Sequence, residues 1–263
     1  MKEVRREWSL EKETDKMSKK EKKKVLFVGV IILTILVCTF LFSTVFLSAL
    51  NPGGPSNVVS VSNKTKGTTS AAFFNLSGGY IAALNLTANI QDVRWKAFVG
   101  WVNGKFTLSD SGGSTIYDWT LSVTTGRVYA TRVASAISWA SMQCANRTTS
   151  LNAENLAMFH NSSSDNITKT FQYGTHNAFW VAGIPISANS CPTLKTYINN
   201  VSQGTSFQEM ALYDSTNIIY ATLLENRIVG YDGQAYDFQM LVPENGSQGF
   251  TGATPYYLYV ELD

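Results

Sequence analysis

The stretch Trp95-Lys96-Ala97-Phe98-Val99-Gly100-Trp101-Val102-Asn103-Gly104-Lys105-Phe106-Thr107-Leu108 decides the fold class. Trp95, Ala97, Val99 and Trp101 alternate with Lys96, Phe98, Gly100 and Val102, then Phe106 and Leu108 alternate with Lys105 and Thr107. A period of two belongs to strands, whose successive side chains point to opposite faces. Asn103-Gly104 between the two runs predicts a hairpin, because that pair tolerates the positive φ of a type I′ turn. The next turn is Asp110-Ser111-Gly112-Gly113, followed by alternation over Tyr117, Trp119, Leu121 and Val123. Gly126 precedes a strand through Arg127–Val133.

The pattern continues to the last residues. Ile167–Tyr173 alternates, and Ala178–Ile186 is apolar with Pro185 near its end, which suits a sheet edge. Phe207–Tyr213 and Ile218–Leu224 flank a turn at Asp214-Ser215-Thr216-Asn217. Asp232-Gly233 precedes Ala235–Val242, and Tyr256, Leu258, Val260 and Leu262 form a final strand. Strands at this spacing predict a mainly β, antiparallel, sandwich-like domain over residues 71–263. Two helices are expected beside them. Ser150 caps one running through Leu151, Leu156 and His160, and Ala134–Ala145 is a helix or an irregular crossover.

Three other regions precede this domain. Residues 1–24 hold 10 Lys/Arg and 6 Asp/Glu, a net charge of +4, and read as a disordered cytoplasmic tail. Val25–Leu50 carries no charged side chain over 26 residues. About 20 apolar residues cross a hydrocarbon core, and only a helix pairs every backbone group there. A cleaved signal peptide would have an apolar region of roughly 7–15 residues. Despite the small-residue cluster Ser48-Ala49-Leu50, the length favours an uncleaved anchor in the lipid bilayer. Lys19, Lys20, Lys22, Lys23 and Lys24 flank its first end, so the positive-inside rule puts the N-terminus in the cytoplasm and residues 51–263 outside. Residues 51–70, rich in Gly, Pro, Ser, Thr and Asn, read as a linker.

The outer part holds 11 Lys/Arg and 13 Asp/Glu, a net charge of −2, which argues against a nucleic-acid surface. Eight glycosylation sequons start at Asn63, Asn75, Asn85, Asn146, Asn161, Asn166, Asn200 and Asn245, all beyond the apolar run. Cys38 lies within that run, leaving Cys144 and Cys191 as the two outer cysteines and a disulfide candidate.

The segments Gly78-Gly79-Tyr80-Ile81, Leu84-Asn85-Leu86-Thr87, Trp95–Gly100 with Asn103-Gly104, Val128–Arg132, Tyr236–Pro243 and Tyr256–Leu262 carry a resemblance. They resemble a group of uncharacterised archaeal signal-anchored cell-surface proteins with a β-rich, Trp- and Gly-patterned ectodomain. The resemblance spans most of residues 75–263 and implies the same topology, compartment and β character. It transfers no functional residue.

No pattern of catalytic residues stands out. His160 and His176 lack metal-ligand spacing, and no Gly-x-Ser-x-Gly elbow or phosphate loop is present. Asp110, Asp118, Glu154, Glu209, Asp232 and Asp237 are scattered acids with no spacing that singles out a catalytic pair, and Asp110 and Asp232 offer a partial match to calcium ligands. The reading is therefore no cofactor and no metal. Trp95, Trp101 and Trp119 lie in alternating runs beside aliphatic residues, which predicts core positions. Tyr257 and Tyr259 share the outward face of the last strand and form a candidate interaction face. The expected function is a non-enzymatic surface protein that contacts another surface protein, a glycan or another copy of itself. A membrane-anchored hydrolase of glycans or peptides and a structural subunit of a surface assembly are the alternatives.

Overall fold

The computed structural model describes residues 51–263 apart from 60, 61, 68–72, 74, 122, 123, 162, 163 and 173. The basic tail, the apolar run with Cys38, and parts of the linker lie outside the described residues. Among the described residues no helix is long and apolar enough to cross a membrane.

The chain is mainly antiparallel β, as expected. A central sheet runs in the order β14 (Tyr257–Leu262), β4 (Gly126–Thr131), β10 (Ile218–Leu223) and β9 (Gln208–Tyr213). Beyond β9, the short strands β5 (Gln143–Cys144) and β8 (Thr193–Lys195) share one edge. Ribbons of two strands surround it: β1 (Trp95–Gly100) with β13 (Phe238–Pro243), β2 (Lys105–Ser109) with β3 (Thr115–Thr120), β6 (Phe179–Val181) with β7 (Ile184–Ile186), and β11 (Ile228–Val229) with β12 (Ala235–Tyr236). The helices are α1 (Ser150–Ala157) and the single turn α2 (Ile167–Thr170), with a 3₁₀ turn at Trp139–Ser141.

Both faces of the central sheet are covered, so all of β4 and nearly all of β9 and β10 are buried. On one face Val128, Ala130, Ala211 and Tyr220 pack with Phe238, Met240 and Val242 of β13 and with Leu151, Ile167 and Phe171 of the helical part. On the other face Tyr129, Met210, Leu212 and Ile219 meet Trp139, Met142 and the β6–β7 residues Phe179, Val181 and Ile186. An antiparallel strand with one wet face would alternate. These strands do not, because each fully buried large apolar side chain contributes roughly 1.5–3 kcal/mol on either face.

Local turn chemistry behaves as read at two places. The Asp214 carboxylate accepts the N–H groups of Thr216 (2.9 Å) and Asn217 (2.6 Å) and closes the β9–β10 turn. Asp110 accepts those of Gly112 (2.9 Å) and Ser114 (2.8 Å) between β2 and β3. These are Asx turns, which need no distant partner.

Four readings are corrected. Asn103-Gly104 does not join a hairpin: β1 pairs with β13, in the register Trp95↔Pro243 to Gly100↔Phe238, and neither turn residue has a positive φ. Trp95 and Phe98 pack on the core through that distant pairing, and this outweighs a local turn preference. Ile167–Tyr173 is not a strand. Asn166 caps α2 by accepting Lys169 N–H (2.8 Å), and the buried Ile167 and Phe171 are four apart, a spacing that satisfies both periods. The run Ala178–Ile186 is a hairpin rather than one strand, turning at Ala182 (φ 48°) and Gly183 (φ 82°). The expected helix through His160 stops at Ala157, while Ala134–Ala145 takes the irregular-crossover form, one of its two expected readings, with one 3₁₀ turn.

The expected disulfide is present. Cys144 and Cys191 are bridged, with Cα atoms 4.7 Å apart. The Ala145 N–H donates to Ala211 (2.9 Å) and the Ala211 N–H donates to Pro192 (3.0 Å). The chain therefore leaves and rejoins the edge of β9 at one residue, and the bridge pins the intervening lobe.

Candidate functional site

The β2–β3 ribbon follows directly from its sequence and is the most exposed strand pair. Phe106 faces Trp119 and Leu108 faces Tyr117 across the ladder. Strand geometry puts these four on one face. They remain 44–60% exposed, and the Tyr117 and Trp119 rings meet edge-on at 5.0 Å. The opposite face carries Thr107, Ser109, the ion pair Lys105–Asp118 and, at a register shift in the ladder, the exposed Ile116.

Core positions were expected for three tryptophans. Trp95 packs on the core, but Trp101 and Trp119 are exposed, at 43% and 50%. Alternation fixes which side chains share a face. It does not say whether anything covers that face. Trp101 is held at the surface, its indole N–H donating to Ala235 O (2.8 Å) with the Arg227 guanidinium 5.7 Å from the ring.

Residues 80–92 form no strand, yet Leu84, Leu86, Ala88 and Ile90 alternate with Asn85, Thr87, Asn89 and Gln91. Leu84, Leu86 and Ile90 are exposed. This segment and the ribbon face of Phe106, Leu108, Tyr117 and Trp119 were not singled out as sites from the sequence. Their signal was alternation itself, which core strands share.

The candidate face on β14 is divided. Tyr257 is 43% exposed. Tyr259 is half-buried, its hydroxyl donating to Ala134 O (2.9 Å) and its ring 5.4 Å from Trp139. Glu261, on the same face, is paired with Arg127. The outer edge of β14 is also engaged: Gly53 and Val260 exchange backbone hydrogen bonds at 3.1 and 2.8 Å, and Pro52 is buried.

Among the sequon asparagines, Asn63, Asn75, Asn85, Asn146, Asn161 and Asn200 are exposed and Asn245 is half-buried. Asn166 is buried, and its side chain is occupied by the α2 cap. A glycan there would displace the cap.

The remaining polar candidates are separate. His160 is buried, its Nε2–H donating to Glu244 O (2.8 Å) and its ring edge-on to Trp95 at 5.4 Å. His176 Nε2 accepts the N–H groups of Ser190 (3.0 Å) and Cys191 (2.9 Å), so the ring proton sits on Nδ1 and is donated to Asn177 O (2.7 Å). Glu154 makes a two-point ion pair with Arg132 (2.6 and 3.1 Å). Asp232 pairs with Lys64 (2.8 Å), and Asp237 accepts Val102 N–H (2.9 Å) and Arg227 N–H (3.0 Å). Glu209 is buried under β13 and accepts Leu241 N–H (2.7 Å), and burial pushes its carboxyl well above the usual range. Among the described residues no three of His, Cys, Asp and Glu converge as metal ligands would.

His176 makes a pH prediction. Burial lowers its pKa below the ordinary value of 6.5. The unfolded chain then binds a proton that the folded chain refuses, so stability holds above about pH 6.5 and falls as the pH drops toward the lowered value. His176→Ala should lose about 2 kcal/mol or more by orphaning two backbone donors, and should flatten that acid slope. Thermal unfolding of both proteins between about pH 7 and 5 checks it. Equal slopes would remove His176 as the cause.

No protein-family model matches the chain, no curated protein matches it, and no solved structure matches its fold.

Proposed function

We propose that the chain is a single-pass, membrane-anchored cell-surface protein that works by binding. Residues 25–50 span the membrane, the N-terminus is cytoplasmic, and a sandwich-like β domain stands outside. The uncharged run with its lysine flank supports the topology. The disulfide and the eight sequons suit an oxidising, glycosylating compartment. The resemblance to archaeal signal-anchored surface proteins points the same way.

The observation that carries the binding role is the segment Leu84–Gln91. It lies in no strand or helix among the described residues, Leu84, Leu86 and Ile90 are exposed, and the apolar residues alternate with polar ones, so that in an extended conformation they would share one side. Such a segment fits addition to the sheet edge of another surface chain, where backbone bonds give affinity and alternate side chains give specificity. Asn85, with its sequon, is one of the polar positions of the alternation, so a glycan there would point away from the apolar residues once the segment pairs as a strand.

The test is cross-linking of the full chain in intact cells. A photoreactive side chain at Leu86 should form an adduct with a second surface chain. Ala88→Pro removes one backbone donor, leaves the Asn85 sequon intact, and should abolish the adduct. No adduct, or one that Ala88→Pro leaves unchanged, would discard strand addition. Protease added outside the cells should digest residues beyond 50 and spare the tail. The reverse pattern would discard the topology.

A further inference from the structure

The β2–β3 ribbon has an uncovered apolar face and a fixed place relative to where the chain enters the domain. A two-stranded ribbon is marginal in water by itself, and an apolar face on one requires cover. Three observations identify the cover.

The first is chain length. Gly53 is locked onto Val260, only three residues after Leu50, where the apolar run stops. Three residues reach at most about 10 Å. The second is the position of the ribbon's base. Leu262 lies two residues beyond Val260 on β14, about 7 Å at the strand rise. Gly104, immediately before β2, is pressed against Leu262 so closely that a Cβ on it would lie 2.2 Å from the leucine Cδ1. The base of the ribbon therefore lies against the same end of β14 to which Gly53, the first described residue paired with the sheet, is fixed. The third is chemistry. Phe106, Leu108, Tyr117 and Trp119 form one face, with Lys105, Asp118, Thr107 and Ser109 opposite and the exposed apolar Ile116 on that second side. Trp and Tyr favour the boundary between headgroups and acyl chains. The sequons on either side are Asn85 and Asn146, so the whole ribbon is free of glycan acceptors.

The geometry points to a membrane-seated ribbon: β2 and β3 lie flat on the bilayer that holds residues 25–50, with Phe106, Leu108, Tyr117 and Trp119 in its interfacial layer. This rests on the proposed anchor. The ribbon is the strand counterpart of an amphipathic interfacial helix. Its edge backbone groups stay at headgroup depth, where water and lipid oxygens satisfy them, and this limits it to the surface rather than the hydrocarbon core. Seating it would fix the tilt of the domain on the membrane.

Spin labelling of the full chain in phosphatidylcholine vesicles tests the proposal. Cys38→Ser leaves only the bridged pair, and single cysteines are then placed by Leu108→Cys, Thr107→Cys or Thr34→Cys. Collision with dissolved oxygen reports lipid and collision with a water-soluble nickel chelate reports solvent. The label at 108 should favour oxygen, as the one at 34 does, and the label at 107 should favour the chelate. Adding Trp119→Ser and Tyr117→Ser should shift the label at 108 toward the chelate. Equal chelate access at 107 and 108, with 34 in lipid, overturns the seating and leaves the anchor standing. A label at 108 shielded from both reagents overturns it in favour of a protein cover, such as a second copy. Chelate access at 34 overturns the anchor and the seating together.

Discussion

Replacing Cys144 and Cys191 together by alanine is expected to destabilise the outer domain by about 4 kcal/mol. That figure follows from the loop the bridge closes, 47 residues in sequence separation, in the chain-entropy model. For a domain of this size it corresponds to a fall in Tm of roughly 8–16 °C. The structural consequence is specific. β5 and β8 hold only two and three residues each, and both depend on β9 for their pairing. Without the bridge, the lobe between Ala145 and Pro192 is tied to the sheet by those short ladders and by packing alone. Circular dichroism melts of the full chain in detergent, oxidised and reduced, provide the check. Reduction of the natural protein should reproduce the double variant, and an unchanged Tm in both would show that the bridge constrains nothing.

Glu261→Ala should destabilise by about 3–5 kcal/mol, because it strands a buried cation. Arg127 is 4% exposed and its guanidinium lies 3.1 Å from Glu261 and 2.6 Å from Asp263. Glu261 also accepts the Tyr129 hydroxyl and the Ala182 N–H (3.0 Å), so one carboxylate joins β14, β4 and the β6–β7 turn. Asp263 is half-exposed and reaches only one arm of the arginine. Replacing the pair together, Arg127→Met with Glu261→Leu, should recover only part of the loss, since it removes the stranded charge but leaves the Tyr129 hydroxyl and the Ala182 N–H without their acceptor. Chemical denaturation of the two single variants and the double variant gives the coupling. If Glu261→Ala lost less than about 1 kcal/mol, the pair would be behaving as a solvent-screened one.

The parts of the fold legible in the sequence are those settled by neighbours along the chain. Asp214 and Asp110 close their turns with bonds to groups two to four residues away, so composition alone located them. The final strand and the strand after Gly126 were equally plain. Failures came where two local readings fitted equally or where a distant contact won. Ile167 and Phe171 satisfy a helix and a strand alike, and the Asn166 cap decided between them. Asn103-Gly104 had the composition of a hairpin turn, but β1 gained more by pairing with β13 across some 140 residues and burying Trp95 and Phe98. For the candidate site, the alternation of Phe106, Leu108, Tyr117 and Trp119 was visible, and its exposure was not.

The sequence by itself determined that this domain is antiparallel β. Period two dictates strands, and short polar turns return the chain beside itself. It also determined the disulfide partners, since only two cysteines follow the apolar run. Tertiary structure alone decided which strands meet and which apolar faces stay bare. Alternation assigns a side chain to a face, whereas cover for that face comes from residues far away in the chain. β9 and β10 received cover on both sides and became core. The β2–β3 ribbon, whose apolar residues alternate onto one face, received none within the described residues, and its aromatic face remains open to the surroundings.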